Sequence, residues 1–301
     1  LQDRTAPPLR LSDIRAIDLR PIAAARAEIA DGDTLRIADI RLSPDGALAA
    51  ILLPSLELDG PDQIWLYRIT DGRLIPATPA PDTRQPHPDG APMLIKAIAW
   101  RGDTLYARVA IWSKDSKGEA GASTVYAATV DGSTRLDDVP GDIAALLDGE
   151  SESPAVRPGE MTERDGESPQ AIRGNGDLLA WVDDLGHGTL ELKMRKRVAG
   201  SAATLVAWGS HSLSHYLFDA DASQLVYAAD TGIAVFDMTT HDGRRIAGTS
   251  AGDQPSAISA DRSLFVWSTR NRCGDELLAE QDEGAPERFC VARLSKPEAG
   301  K

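Results

Sequence analysis

A unit of short strands recurs five times along the chain, and this recurrence limits the possible fold more than any other feature. Each copy reads as a β-strand, a polar turn built on Asp or Gly, a second and more apolar strand, a looser loop, and a third strand. The clearest copy runs from Ile37 through the turn Ser43-Pro44-Asp45-Gly46 into Leu48-Ala49-Ala50-Ile51-Leu52-Leu53. It continues through Gln63-Ile64-Trp65-Leu66-Tyr67-Arg68-Ile69 to the turn Asp71-Gly72. The turn anchors Asp45, Asp103, Asp177, Asp221 and Asp261 lie roughly 40 to 75 residues apart, and a propeller blade occupies about 40 to 50 residues. The pattern predicts an all-β chain: a β-propeller of five to seven four-stranded blades, with five repeats visible.

The residue types agree with strands. The second strand of each copy is a nearly continuous apolar run, as a sheet covered on both faces requires. The third alternates more, with Ile64 and Leu66 set against Trp65 and Tyr67. The pairs Asp45-Gly46, Asp71-Gly72, Asp131-Gly132 and Asp242-Gly243 suit tight hairpin turns needing φ > 0. They read as turn formers rather than ligands.

Three regions follow. Residues 1–32 form a lead-in, either a short helix with Ser12 as N-cap and Pro21 as its stop, or a strand that completes the last blade. Residues 33–297 form the propeller, with an inserted loop at about 140–167 that opens on a short helix over 143–147. Its run Glu150-Ser151-Glu152-Ser153-Pro154 reads as an exposed loop. Residues 298–301 are a tail.

Charge narrows the function classes. The net charge is −14, so no basic stripe is available to neutralise phosphates, and nucleic acid is not an expected partner. No apolar run reaches the ~18 residues of a spanning helix. The two cysteines, Cys273 and Cys290, both fall in the last copy. Adjacent strands would bring them together as a disulfide pinning 274–287, which implies an oxidising compartment, periplasmic or secreted. The other reading is a pair of buried thiols. A start at Leu1 rather than Met is what a mature or trimmed protein shows.

Candidate chemistry is sparse. Gly248-Thr249-Ser250-Ala251-Gly252 matches the nucleophile-elbow pattern, but that motif needs a helix after the serine. Asp253-Gln254-Pro255 and a strand-like run follow instead, so the segment reads as an inter-blade loop. His211 and His215 have i, i+4 spacing without a third ligand. His187 sits between two glycines as a turn residue. No phosphate loop, zinc spacing or dinucleotide fingerprint occurs, so no cofactor or metal is expected. Trp112, Trp208, His211 and His215 stand as possible ligand contacts, with inter-blade packing as the alternative role for the tryptophans.

The string Leu42-Ser43-Pro44-Asp45-Gly46, the strand after it, and Gln63-Ile64-Trp65-Leu66-Tyr67 with Asp71-Gly72 resemble the "SPDG" repeats of WD-like propellers. Such repeats occur in Tol-Pal periplasmic propellers and in the N-terminal propellers of prolyl-oligopeptidase-family serine peptidases. The lead-in Leu11-Ser12-Asp13-Ile14-Arg15 resembles the start of the latter. The pair Arg272-Cys273 and Arg288-Phe289-Cys290-Val291-Ala292-Arg293 is similar to the paired-cysteine hairpin of lasso-peptide isopeptidases. The resemblance implies a propeller that gates or grips a peptide for an α/β-hydrolase domain carrying the catalytic Ser, Asp and His. No catalytic residue is carried over to this chain. The second expectation is a stand-alone exported propeller that binds a protein partner as scaffold or receptor.

Overall fold

A computed structural model describes residues 7–27, 36–54, 61–79, 93–112, 120–151, 169–175, 177–198, 201–219, 221, 223–274 and 288–295. The chain enters through strand β1 (Arg10–Ala16) and helix α1 (Arg20–Ala27). Strands β2 (Asp39–Leu42), β3 (Leu48–Pro54), β4 (Pro61–Arg68) and β5 (Leu74–Pro76) follow, then β6 (Met93–Arg101), β7 (Thr104–Trp112), β8 (Ala120–Thr129) and β9 (Gly132–Leu136). Helix α2 (Gly141–Ser151) precedes β10 (Pro169–Asn175), β11 (Leu178–Asp184), β12 (Leu190–Lys196) and β13 (Thr204–Gly209). A short 3-10 turn at His211–Ser214 leads into β14 (Tyr216–Phe218), β15 (Gln224–Ala229), β16 (Gly232–Asp237) and β17 (Gly243–Arg245). The last strands are β18 (Gln254–Ile258), β19 (Leu264–Thr269) and β20 (Arg288–Ser295).

These strands form five four-stranded sheets, four of them in sequence order: β2-β3-β4-β5, β6-β7-β8-β9, β10-β11-β12-β13 and β14-β15-β16-β17. The fifth has the order β1-β20-β19-β18. All pairings in the sheets are antiparallel, so this is an all-β, propeller-like fold with five blades among the described residues. The chain divides into two compact units. One is Asp18–Ser153, with the first two blades; the other is Leu1–Ile17 with Pro154–Lys301, with the remaining three.

The lead-in supplies both of its expected elements, the strand in its expected place and the helix after it, over Arg20–Ala27. β1 pairs with β20, Arg10 opposite Ser295 and Ala16 opposite Cys290, and so completes the last blade. Ser12 is therefore no helix cap: it lies mid-strand opposite Arg293. Pro21 is no stop either. It sits in the first turn of α1, where a missing N–H breaks no helical bond. Asp18 does the capping, accepting the Arg20 N–H at 3.1 Å. The Arg20 guanidinium holds its carboxyl down at about 2.

Cores form where blades of one unit face each other. In the first unit Ala50, Leu52, Ile64 and Leu66 meet Ile95, Ile98, Leu105 and Val109. In the second, Val182, Leu192 and Met194 meet Tyr216, Leu225 and Phe236, and Val226 and Val235 meet Phe265, Trp267 and Ala292. The helix expected over 143–147 extends over Gly141–Ser151. It lays Ile143 and Leu147 on Ala97, Ala99 and Val125 and is tied down by Arg101 to Asp142 and by Arg108 to Asp148 at 2.6 Å.

One turn is built three times. In the first blade the Ser43 hydroxyl donates to Asp45 Oδ1 at 2.7 Å and accepts the Leu48 N–H at 2.9 Å, while the Ala47 N–H donates to Asp45 Oδ1 at 3.0 Å. In the last blade Ser259, Asp261, Ser263 and Leu264 repeat these bonds at 2.6, 2.9 and 2.9 Å. In the fourth, Asp219 stands at the serine position and accepts the Gln224 N–H at 2.8 Å, and Asp221 accepts the Ser223 N–H at 3.1 Å. Of the four Asp-Gly pairs, Asp242-Gly243 departs from expectation. Gly243 begins β17, and the left-handed residue of that longer turn is His241, with φ 59°.

Candidate functional site

The third blade carries the one exposed Trp, Tyr or Phe side chain among the described residues, Trp208. One of its faces is core: Ala180, Val182, Leu190, Leu192 and Met194 are buried. On the other face Lys193 bonds Asp183 at 2.9 Å and Glu191 at 2.7 Å. On the outer strand β13, Leu205 lies opposite Lys193 and Trp208 opposite Glu191. The register shifts at Val206 between them, so both belong to the face that carries Lys193 and Glu191, whose centre is the buried Trp181. Trp208 is 62% exposed and Leu205 47% exposed.

Beyond β13 the chain turns sharply into the fourth blade. The Ser210 N–H and hydroxyl donate to Asp230 Oδ1 at 3.1 and 2.5 Å. His211 opens the 3-10 turn, Leu213 plugs the core, and His215 is exposed while its carbonyl accepts the Ala228 N–H at 2.9 Å. Tyr216 then buries its ring and donates its hydroxyl to the Ala180 carbonyl at 2.7 Å. Burial pushes that hydroxyl up in pKa. The Arg173 guanidinium sits 5.3 Å from the Tyr216 ring centre, a cation–π contact that pins the inner strand β10 to its neighbour.

Of the expected contact residues, Trp208, His211 and His215 therefore share one stretch, the join between the third and fourth blades. Trp112 ends β7 in the other unit, and its side chain, like that of His211, lies outside the described residues. The two histidines sit on and after a four-residue 3-10 turn rather than on one face of an α-helix. No group of three or more His, Cys, Asp and Glu side chains able to hold a metal occurs among the described residues.

Cys273 and Cys290 are joined as a disulfide, with Cα atoms 5.7 Å apart. Cys290 is fully buried at the centre of its sheet, opposite Trp267 on β19 and Ala16 on β1. Gly274, just past the bridge, packs against Ile14 of β1. The staple therefore holds the β19–β20 connection against the strand that completes the blade.

The serine of the elbow-like string is 1% exposed and lies in the turn between β17 and β18. Its N–H donates to Asp253 Oδ2 at 2.9 Å, and the Asp253 N–H returns to the Ser250 carbonyl at 3.1 Å. A strand follows rather than a helix. Sequence reasoning passed over Asp253, the most perturbed acid at this joint. It is 2% exposed, and burial pushes its carboxyl up to about 6 against the opposing pull of the Thr269 side chain and the Ser250 N–H. The only available signal was an Asp three residues after a Ser in a glycine-bounded turn.

Four-stranded antiparallel sheets and a last blade completed by the entering strand define an all-β, propeller-like protein. No family model matches the chain, and no curated protein matches it. Among solved structures it is similar to TolB from Acinetobacter baumannii, at 13% identity and TM-score 0.32, over 86% of this chain and 54% of that one. It is also similar to a calcium-binding protein, regucalcin, from Agrobacterium tumefaciens, at 11% identity and TM-score 0.38, over 97% of each chain. A third is the tricorn protease, at 12% identity and TM-score 0.29, over 80% of this chain and 20% of that one. The chain thus spans about half the length of the TolB chain it matches. The five four-stranded sheets themselves define the fold.

Proposed function

We propose that this chain is a non-catalytic propeller that grips and gates peptide substrate for a prolyl-oligopeptidase-like serine peptidase in an oxidising, exported compartment. The observation that carries the reading is the closure of the last blade. Arg10 of the entering strand pairs with Ser295 of the leaving strand, so the chain enters and leaves this unit side by side. A second domain joined there leaves every blade intact. The Cys273–Cys290 staple beside that seam supports the compartment. The burial of Ser250 supports a catalytic serine lying elsewhere than in the elbow-like string. A second reading, an exported scaffold for a protein partner, is favoured by exposed Trp208 and Leu205.

The test is active-site labelling of the native protein, captured from its source with an antibody raised against this chain. A fluorophosphonate label on a serine of the same polypeptide or of a tightly bound one, outside these 301 residues, supports the peptidase reading. Captured protein with no labelled serine in itself or in a bound partner overturns it in favour of the scaffold.

A further inference from the structure

We propose that β13 is a self-pairing edge, through which two copies of this chain associate antiparallel across a twofold axis. Sheets keep their outer edges short, charged or irregular, because an unpaired strand edge is a template for another strand. Four of the five outer strands follow this rule. β5 and β17 have three residues each. β9 is almost wholly exposed and carries Arg135. β1 carries Arg10, Asp13 and Arg15 and a break in register. β13 differs in carrying no charge over six residues, Thr-Leu-Val-Ala-Trp-Gly, although like β1 it has a break in register. Its one irregularity, at Val206, turns both Leu205 and Trp208 to the same face.

Charge selects the occupant. With a net charge of −14, two copies repel over most of their surface, and an uncharged strand is where they can approach. The surroundings of that strand are polarised along its length. Lys196 and Arg197 lie at the Thr204 end, since Met194 is opposite Thr204, with Asp177 two strands in, where the Arg197 N–H donates to its carbonyl. Asp184, Glu191 and Asp230 lie at the Gly209 end, with the Asp230 carboxylate 3.2 Å from where a Gly209 Cβ would stand. An antiparallel twofold lays the basic end of one copy on the acidic end of the other and sets Leu205 against Trp208 twice. This self-complementarity is what an isologous interface requires. One strand from each copy is a small interface, below about 1,200 Å², so the dimer is weak and concentration-dependent.

Sedimentation velocity of the full chain from about 1 to about 300 μM spans the relevant affinities. Expected are a reversible dimer and a loss of affinity of about tenfold or more in Trp208→Lys, with Lys196→Glu shifting it in the same direction. Leu205→Lys serves as a second edge variant should Trp208→Lys fail to fold, judged by circular dichroism. A monomer at every concentration overturns the proposal, as does a dimer unchanged by the edge variants, or an edge that takes only a foreign peptide. The serine-labelling result above has no bearing on this outcome.

Discussion

Arg262, in the turn of the last blade, reaches across to the fourth blade and sets its Nε 2.7 Å from Asp219 Oδ2. Its Nη2 lies 2.7 Å from both oxygens of Asp221 and also meets the Ser223 hydroxyl. The backbone makes this reach at a cost. Arg262 occupies the position of Gly46 in the first blade and adopts its left-handed conformation, φ 60° against 68°. Asp219 is the reason, because it places a carboxylate where the other two copies of the turn hold a neutral serine hydroxyl, and its side chain is 1% exposed. Arg262→Ala leaves that charge buried without its partner, with an expected loss of about 3 kcal/mol, the low end for breaking a buried pair because the arginine is one-third exposed. Arg262→Gly loses about 1 kcal/mol less, since glycine relieves the left-handed strain. Adding Asp219→Ser to Arg262→Ala restores the neutral turn and recovers most of the loss. Urea unfolding of the four proteins checks the order.

Asp253 sets a pH dependence of opposite sign to that of a salt-bridged carboxylate. Its folded pKa, about 6, lies above the unfolded value near 3.9, so the native state binds the proton more tightly. The stability this contributes is fully present below pH ~4 and is lost as pH rises through about 6. The difference amounts to at most about 3 kcal/mol by pH 7. Asp253→Asn keeps an acceptor for the Ser250 N–H and removes the buried charge. The variant is expected to be more stable than the parent at pH 7 and to show a flatter stability profile between pH 4 and 6. Melting temperatures across that range test it, and an unchanged slope would sink the assignment.

Threonine closes two of the blades in the same way. The Ile64 N–H donates to Thr78 Oγ1 at 2.9 Å in the first blade, and the Ile233 N–H to Thr249 Oγ1 at 2.9 Å in the fourth. Thr249 also donates to the Ile246 carbonyl at 2.7 Å. Gly232, with φ 131°, leaves room for this joint: a Cβ there would stand 2.8 Å from both the Thr249 carbonyl oxygen and its Oγ1. Gly232→Ala therefore meets backbone and strain together and should cost about 2–4 kcal/mol. Thr249→Val, which leaves the buried Ile233 N–H unsatisfied, should cost about 1–3 kcal/mol. Denaturant titrations of the two variants provide the comparison.

The second strand of each blade was legible because burial on both faces writes a long apolar run, such as Leu48–Leu53, all of it buried, and the third by its looser alternation, as in Leu190–Lys196. Apart from β1, read as a strand that could complete the last blade, the fourth strands were not. Leu74–Pro76 and Gly243–Arg245 have three residues and no apolar period, and they become strands only by pairing with β4 and β16. Ser12 and Pro21 look like helix punctuation in isolation, yet the first is held by β20 and the second merely opens a helix. At the candidate site the limit is the same. Trp181 and Trp267 are fully buried whereas Trp208 is 62% exposed, and what separates them is position within a sheet, second strand or outer edge. Composition carries no record of that.

The disulfide gives the last prediction. It closes a segment with a sequence separation of 17 between β19 and β20, a length at which a bridge contributes about 3 kcal/mol by restricting the unfolded chain. Cys290 is fully buried opposite Trp267 and Ala16, so reagents reach it only when the blade opens. Protein purified from an oxidising compartment should take up no alkylating reagent when denatured without reductant. Two alkyl groups should appear, by mass, after denaturation with reductant. Replacing both cysteines by serine should lower stability by about 3 kcal/mol, and hydrogen exchange should quicken first in β20 and in β1, since both pair around Cys290. Two reactive thiols in the unreduced protein would remove the staple and, with it, the argument for an oxidising compartment.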